Sequence, residues 1–209
     1  MGRVIKLKYF PQFSVDLGDS TSITDDSETP IFFVLDSLLH VMNLSLPVQN
    51  YPHGTIVFVL ESKSPICYKE SNLIFLNCSK NKWDQVTYQL AHEMCHLLIH
   101  GKTIPELRWL EESICELSSL YFLPKISKYW KRLGIPYQTS DGMLYSPLFE
   151  KYALDTHADI TSLDLTLFTE NLDNSELSSL VKDCYQRSKN RYIAIRFLPI
   201  FKHFPKTWN

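Results

Sequence analysis

The sequence is poor in glycine, and its few cysteines form no recognisable pairs. Six glycines are dispersed through 209 residues, which excludes a glycine-rich loop of the kind that cradles a nucleotide phosphate. The cysteines are odd in number and show no Cys-x-x-Cys spacing, so a disulfide framework is not expected. This pattern predicts reduced thiols and a cytoplasmic location. The five cysteines are Cys67, Cys78, Cys95, Cys115 and Cys184.

Long apolar runs and an excess of charge of one sign are also missing. No apolar stretch approaches the roughly 20 residues needed to cross a bilayer, and residues 1–13 lack the apolar run of a secretory signal. The net charge is only -2, so the chain as a whole is not drawn to nucleic acid or to an anionic membrane. We therefore expect a soluble protein with neither a membrane nor a nucleic acid as partner.

The first half of the chain has the pattern of a small α+β unit. Pro30 suits the first turn of a helix, and Asn81 and Gly101 suit the start and the end of another. A turn-like segment between two apolar runs predicts a hairpin. The predicted elements are a strand (3–10), a loop (11–30), a helix (30–43), a strand (55–60), a hairpin (65–69 with 73–77) and a helix (81–101).

The second half is helical in pattern. Pro124 is predicted to stop or kink the first of its helices, and residues 134–172 show no clear pattern. The predicted elements are a helix (105–123), a second helix (174–190) and a segment that is either helix or strand (191–204). We expect an α+β fold with an α/β lobe at residues 1–101 and a helical lobe at residues 102–209.

One short motif carries most of the functional signal: His92-Glu93-Met94-Cys95-His96. Residues four apart project from one face of a helix, so the imidazoles of His92 and His96 can bind one metal ion. Glu93 lies beside them, where a carboxylate can take a proton from a metal-bound water. The motif predicts a zinc site with Glu93 as the general base.

The residues around the motif favour a buried helix. Residues 89–91 before it and residues 97–98 after it contain neither charge nor proline. The alternative is an exposed helix with two surface histidines. An exposed helix would not carry the apolar side chains of Met94, Leu97 and Ile99.

A catalytic zinc site needs a third protein ligand and an open position for water. His100 continues the four-residue spacing, but it lies about 12 Å along the helix axis from His92. One ion cannot bind both residues, and His100 is better placed to interact with the helix dipole.

Other candidates for the third ligand lie on the next predicted helix. Glu112 and Glu116 are one turn apart and share a face, so one can bind the metal while the other hydrogen-bonds a ligand histidine. Glu111 points about 100° away from Glu112 and is expected to be solvated. The alternative is an ordinary charged helix face. The candidates are Glu106, Glu111, Glu112 and Glu116.

These residues resemble two related groups of metallopeptidases. His92-Glu-Met-Cys-His96 followed by Trp109-Leu-Glu-Glu112 is similar to the gluzincins, which combine His-Glu-x-x-His with a glutamate on the next helix. Leu97-Leu-Ile-His-Gly101 and residues 117–124 resemble the ImmA/IrrE family of small intracellular metallopeptidases. The resemblance covers residues 86–124.

The resemblance implies a fold, a ligand set and an activity. It implies a zincin-like (minigluzincin) first lobe with a small mixed sheet, and Glu112 as the third zinc ligand beside His92 and His96. It also implies hydrolysis of peptide bonds in a peptide or protein substrate, with Glu93 as the base. The rival interpretation is a non-catalytic, zinc-containing regulatory or partner-binding protein, which a fourth protein ligand would favour.

Side chains outside the motif have less specific patterns. Cys95 and Cys115 are expected to be small core residues rather than thiolate ligands. The basic segment at residues 187–206 is expected to be a solvated face over an apolar core, rather than a nucleic-acid surface. A hydrogen-bond donor for the developing negative charge is also expected. The candidates are Tyr145, Tyr152, His157, Tyr185 and Tyr192.

The hairpin strand at residues 65–69 is predicted to be a sheet edge that pairs with an extended substrate. Pro65 lacks an N–H group and is therefore tolerated mainly on edge strands or at the first residue of a strand. The alternative is that the acidic loop at residues 11–30 covers this edge and protects it from aggregation.

Overall fold

Four strands form one mixed sheet in the computed structural model of this chain. The structure describes residues 4–18, 30–46, 51–99, 101–161 and 174–204. For residues 61–63, 157–161 and 174–176 it describes the backbone but not the side chains. Strand β1 is antiparallel to β2, and β2 is parallel to β3. The strands, in their order across the sheet, are β1 (Val4–Lys6), β2 (Phe13–Asp16), β3 (Thr55–Tyr68) and β4 (Leu73–Asn77).

Strand β3 bends and lies on both sides of β4. Residues 56–60 run parallel to residues 73–77, whereas residues 66–68 pair with residues 73–75 in the opposite direction. The predicted hairpin is therefore confirmed, and the sheet is five strand segments wide. We call residues 64–68 the edge segment, because no described strand pairs with their outer side.

Six α-helices complete the described part of the chain, and none of them has the length and apolar character required to span a bilayer. The helices predicted at residues 30–43 and 81–101 are confirmed as α1 and α2. Lys82 precedes α2 without a side-chain cap, so Asn81 is not its N-cap. The helices are α1 (Pro30–Asn43), α2 (Trp83–Leu98), α3 (Arg108–Leu133), α4 (Tyr145–Thr161), α5 (Asn174–Lys182) and α6 (Arg187–His203).

Three predictions of secondary structure were wrong. The first strand is shorter than residues 3–10, and the predicted loop at residues 11–30 contains β2, whose Phe13 and Val15 are fully buried. Residues 19–29 of that loop lie outside the described residues, as does His100. The helix predicted at residues 174–190 is two helices. The segment after it, for which helix and strand were both open, is helical.

Pro124 lies inside α3 and does not end it. The helix continues to Leu133 and ends at Gly134, whose positive φ of 62° suits glycine. Ile126 and Trp130, beyond the proline, are fully buried. Their burial outweighs the loss of one helical hydrogen bond at the proline.

The hydrophobic core contains residues from both sides of the predicted lobe boundary. One cluster of buried side chains includes Phe13 and Leu76 of the sheet, Leu90 of α2, and Phe122 and Trp130 of α3. Helix α2 packs against β3 and β4, and α3 packs against α2. The α+β class is confirmed, while the division into lobes at residue 101 stays a prediction.

A buried carboxyl group in α1 is not part of any ion pair found in the described residues. Asp36 is 4% exposed, and its Oδ1 atom has no hydrogen-bond partner. Burial raises the pKa of Asp36 from 3.8 to about 6, although the backbone N–H groups of residues 8–10 act in the opposite direction. Because the folded chain binds this proton more tightly than the unfolded chain, the stability it contributes is lost as the pH rises from 3.8 through 6.

We predict that Asp36→Asn raises the free energy of unfolding at pH 8 by about 1–3 kcal/mol. The amide keeps an acceptor for the N–H groups and carries no charge. Chemical denaturation at pH 4 and pH 8 measures the effect, which should shrink at the lower pH. The exposed Asp155→Asn is the control and should change little; equal stability of Asp36→Asn and wild type at pH 8 would contradict the prediction.

Candidate metal centre

Two buried serines hold α3 against the motif helix α2. The Ser118 hydroxyl donates a hydrogen bond to the Ala91 carbonyl at 2.8 Å, and the Ser119 hydroxyl donates to the Tyr88 carbonyl at 2.7 Å. Both serines are fully buried, and their small side chains let the two helix backbones approach closely. The glutamates of α3 are thereby placed beside the histidines of α2.

Helix α2 is also attached to the end of β4. The Asn77 N–H donates to Gln89 Oε1 at 2.8 Å, and Gln89 Nε2 donates to the Asn77 carbonyl at 3.0 Å. Gln89 lies one turn before the first motif residue. This two-point contact places the motif next to the hairpin.

The three predicted ligands are neighbours between the helices, and Glu112 turns one oxygen toward each imidazole. His92 Nε2 lies 3.5 Å from Glu112 Oε2, and His96 Nε2 lies 3.5 Å from Glu112 Oε1. The two imidazole centroids are 5.0 Å apart. The structure therefore brings together all of the residues that the sequence assigned to the metal.

The other nitrogen of each imidazole faces a second carboxylate. His92 Nδ1 lies 3.5 Å from Glu116 Oε2, and His96 Nδ1 lies 2.7 Å from Glu111 Oε1. Carboxylates in these positions fix the ring orientation and keep the proton on Nδ1. The lone pair of each Nε2 atom is then available to bind a metal ion.

The prediction that Glu111 is solvated was wrong. Its side chain is only 10% exposed, and it accepts a hydrogen bond from Lys69 Nζ at 2.6 Å as well as facing His96. Lys69 immediately follows the edge segment, so the tip of the hairpin covers the first turn of α3. Helical periodicity alone does not reveal this neighbour.

A second cation supports Glu116 from the C-terminal helix. Arg191 Nε donates to Glu116 Oε1, which also accepts a hydrogen bond from the hydroxyl of Tyr88. Arg191 Nη2 donates to the same hydroxyl at 3.2 Å. The side chain of Arg191 is 16% exposed, so its prediction as part of a solvated face was wrong. The core predicted beneath that face is correct at Ile193, which is buried.

The carboxylates give this cluster a strong preference for positive charge. Burial opposes protonation of the histidines, but contacts with the glutamates raise the pKa of His92 to about 10 and that of His96 to about 9. The same contacts, against the effect of burial, lower the pKa of Glu112 to about 2. The cluster therefore favours about two positive charges, which either two imidazolium groups or one divalent cation supplies.

Cys115 is another side chain with a possible ligand atom in reach. Its Sγ atom and a nitrogen of each of His92 and His96 all lie within 4.8 Å of one another, so these three residues could also bind a metal. Cys115 is fully buried and forms a hydrogen bond with Cys95. Burial raises the pKa of the Cys115 thiol well above its ordinary value, so binding of its sulfur to a metal would require the metal to displace the thiol proton.

Glu93 differs from the three glutamates of α3. It is 4% exposed, and burial raises its pKa despite the nearby His92 and His96. It lines the same cleft as the two histidines. Its position and raised pKa suit a group that takes up and releases a proton.

The histidines open into a large cleft, of about 1470 Å³, which exceeds a typical small-molecule pocket. The edge segment forms part of its wall, together with residues from α2, α3, α4 and the start of α6. Two of the predicted hydrogen-bond donors, Tyr152 and Tyr185, also line it.

The other candidate donors are placed differently. The Tyr145 hydroxyl donates to the Asn81 carbonyl at 2.6 Å, and that of Tyr192 accepts from Arg196 at 2.9 Å. The side chain of His157 lies outside the described residues.

Comparison of the chain with protein-family models, curated proteins and solved structures finds no match. The interpretation of the site therefore rests on its geometry and on the sequence motif.

We predict that Arg191→Ala lowers the free energy of unfolding by about 3–5 kcal/mol, because it leaves the buried Glu116 carboxylate without its cation. Urea denaturation measures the effect. Arg196→Ala, an exposed arginine on the same helix, is the matched control. A loss for Arg191→Ala no greater than that of the control would contradict the buried ion pair.

Proposed function

We propose that this chain is a zinc-dependent metallopeptidase in which His92, His96 and Glu112 hold the metal ion. The observation that carries the proposal is the facing of both Nε2 atoms toward the two oxygens of Glu112, at 3.5 Å each. Two imidazoles and one carboxylate form a set of protein ligands typical of catalytic zinc sites. The order of a motif helix followed by a glutamate-bearing helix supports a zincin-like fold of the gluzincin type.

The reaction that this site suits is hydrolysis of a peptide bond. When bound, zinc supplies Lewis acidity, which polarises a carbonyl group and lowers the pKa of water. Glu93 accepts the proton of the attacking water and delivers it to the leaving nitrogen. Burial keeps the pKa of Glu93 raised, so its carboxylate is a better base than an exposed glutamate.

The edge segment suits the binding of an extended peptide or protein substrate. It lines the cleft beside His92, and no described strand occupies its outer side. The outward backbone groups of residues 66–68 can pair with a substrate backbone. The donor that stabilises the carbonyl oxygen is Tyr152 or Tyr185, the two candidates that line the cleft.

A second candidate function is a non-catalytic regulator with a closed structural zinc site. The proximity of Cys115 to both histidines favours it, since a fourth protein ligand would leave no position for water. The hydrogen bond between Cys115 and Cys95 opposes it, because this bond already engages the Cys115 thiol. We therefore favour the peptidase with Cys115 as a core residue.

We predict that the purified protein binds about one zinc ion per chain. His92→Ala, His96→Ala and Glu112→Ala should each lose the ion, whereas Cys115→Ser should retain it. Metal analysis before and after treatment with a chelator measures the stoichiometry. Full zinc in Glu112→Ala together with its loss from Cys115→Ser would move the third ligand to the thiol.

We predict that Glu93→Gln retains zinc and loses hydrolysis by about 100-fold or more, because the amide cannot accept the proton. Cleavage of denatured casein by wild type and variant, each with its zinc content measured, tests this step. Glu106→Gln, an exposed glutamate outside the cleft, is the matched control. Cleavage by Glu93→Gln at the wild-type rate would exclude Glu93 as the base.

A further inference from the structure

Most charged side chains that line the cleft already have a partner of opposite charge. The metal-site carboxylates face the histidines, and the remaining ion pairs involve side chains from the hairpin, α3 and α6. Glu93 lies within the field of the two imidazoles. The ion pairs are Lys69–Glu111, Arg191–Glu116 and Lys102–Glu70.

Two arginines in the cleft are different. Arg108, the first residue of α3, and Arg187, the first residue of α6, are exposed and line the cleft. Within the part of the chain that the structure describes, neither guanidinium group has an ion pair or a hydrogen bond. The cleft thus contains two cations that its own carboxylates do not neutralise.

Both arginines line the cleft that contains the proposed reaction centre. The charge of Arg187 acts to lower the pKa of Glu93. The charge of Arg108 acts to lower the pKa of Cys184 and that of Tyr185, whereas the charge of Glu112 acts to raise both. Tyr185 is 74% exposed and lines the cleft with them. A ligand that extends along the cleft from the metal centre can therefore meet these guanidinium groups.

We infer that Arg108 and Arg187 bind a carboxylate group of the substrate, so that the site selects peptides with an acidic side chain or a free C-terminus near the scissile bond. This inference rests on the proposed peptidase function. A guanidinium group presents a planar fork of donors that matches the two oxygens of a carboxylate.

The test uses binding rather than turnover. Glu93→Gln protein, loaded with zinc, is titrated into fluorescein-labelled peptides of alanine and leucine that carry either one glutamate or one glutamine. Each peptide is made with a free C-terminus and with a C-terminal amide. Fluorescence anisotropy gives the four dissociation constants. Tighter binding of the glutamate peptide identifies a side-chain carboxylate, and tighter binding of the free acid identifies the C-terminus.

We expect at least one of the carboxylate-bearing peptides to bind about tenfold more tightly than the neutral peptide, which has glutamine and a C-terminal amide. One charge-assisted pair of hydrogen bonds provides a difference in affinity of about this size. Arg108→Gln and Arg187→Gln should each reduce this preference, and the double variant should abolish it. Arg132→Gln and Arg196→Gln are matched controls, since they remove an exposed arginine from the same two helices outside the cleft. The controls should keep the preference.

Equal binding of the four peptides, no binding of any of them, or a preference that survives in the double variant would each overturn the inference. Its failure is separable from failure of the proposed function. If wild-type protein with zinc cleaves neutral and acidic peptides equally well, the peptidase stands and the inference fails. If the carboxylate preference depends on the arginines but the protein neither holds zinc nor cleaves, the binding site stands and the peptidase fails.

Discussion

The contact between the imidazoles of α2 and the carboxylates of α3 is the interaction on which the rest of the structure depends. Glu112 faces both Nε2 atoms, while Glu111 and Glu116 face the two Nδ1 atoms. Charged groups buried together in this way cost free energy unless each finds a partner of opposite charge. The two helices cannot separate or slide without leaving some of these charges unpaired.

This constraint extends to parts of the chain far from the motif. Glu111 requires a cation that the tip of the hairpin supplies through Lys69, and Glu116 requires one that α6 supplies through Arg191. The hairpin and the last helix are therefore held to the α2–α3 pair by charge as well as by apolar packing. A buried ionic cluster is a poor source of stability compared with apolar residues of the same volume, so its presence in a cleft supports a functional purpose.

The sequence was sufficient for those parts of the site that depend on local spacing. The facing of His92 and His96 follows from helical periodicity. Spacing left Glu112 and Glu116 open as the third ligand, and only the resemblance to the gluzincins selected Glu112. The cations could not be predicted, because Lys69 lies 42 residues from Glu111 and Arg191 lies 75 residues from Glu116. The same limit explains why β2 and the part of α3 beyond Pro124 were not predicted. Both are stabilised by burial against elements that are distant in the sequence, and the local pattern of residues does not indicate such contacts.

Four glutamates lie beside the two histidines, and their environments divide them into two kinds. Contacts with cations or imidazoles outweigh burial and lower the pKa of the three glutamates of α3 to about 2. Glu93 has no cation in direct contact among the described residues, and burial raises its pKa. Groups of one chemical type whose pKa values are driven apart mark separate roles in acid–base chemistry. Glu93 is not among the proposed ligands, and a structural zinc site does not require such a carboxyl group. Its buried position and raised pKa are what the proposed peptidase would require of a general base.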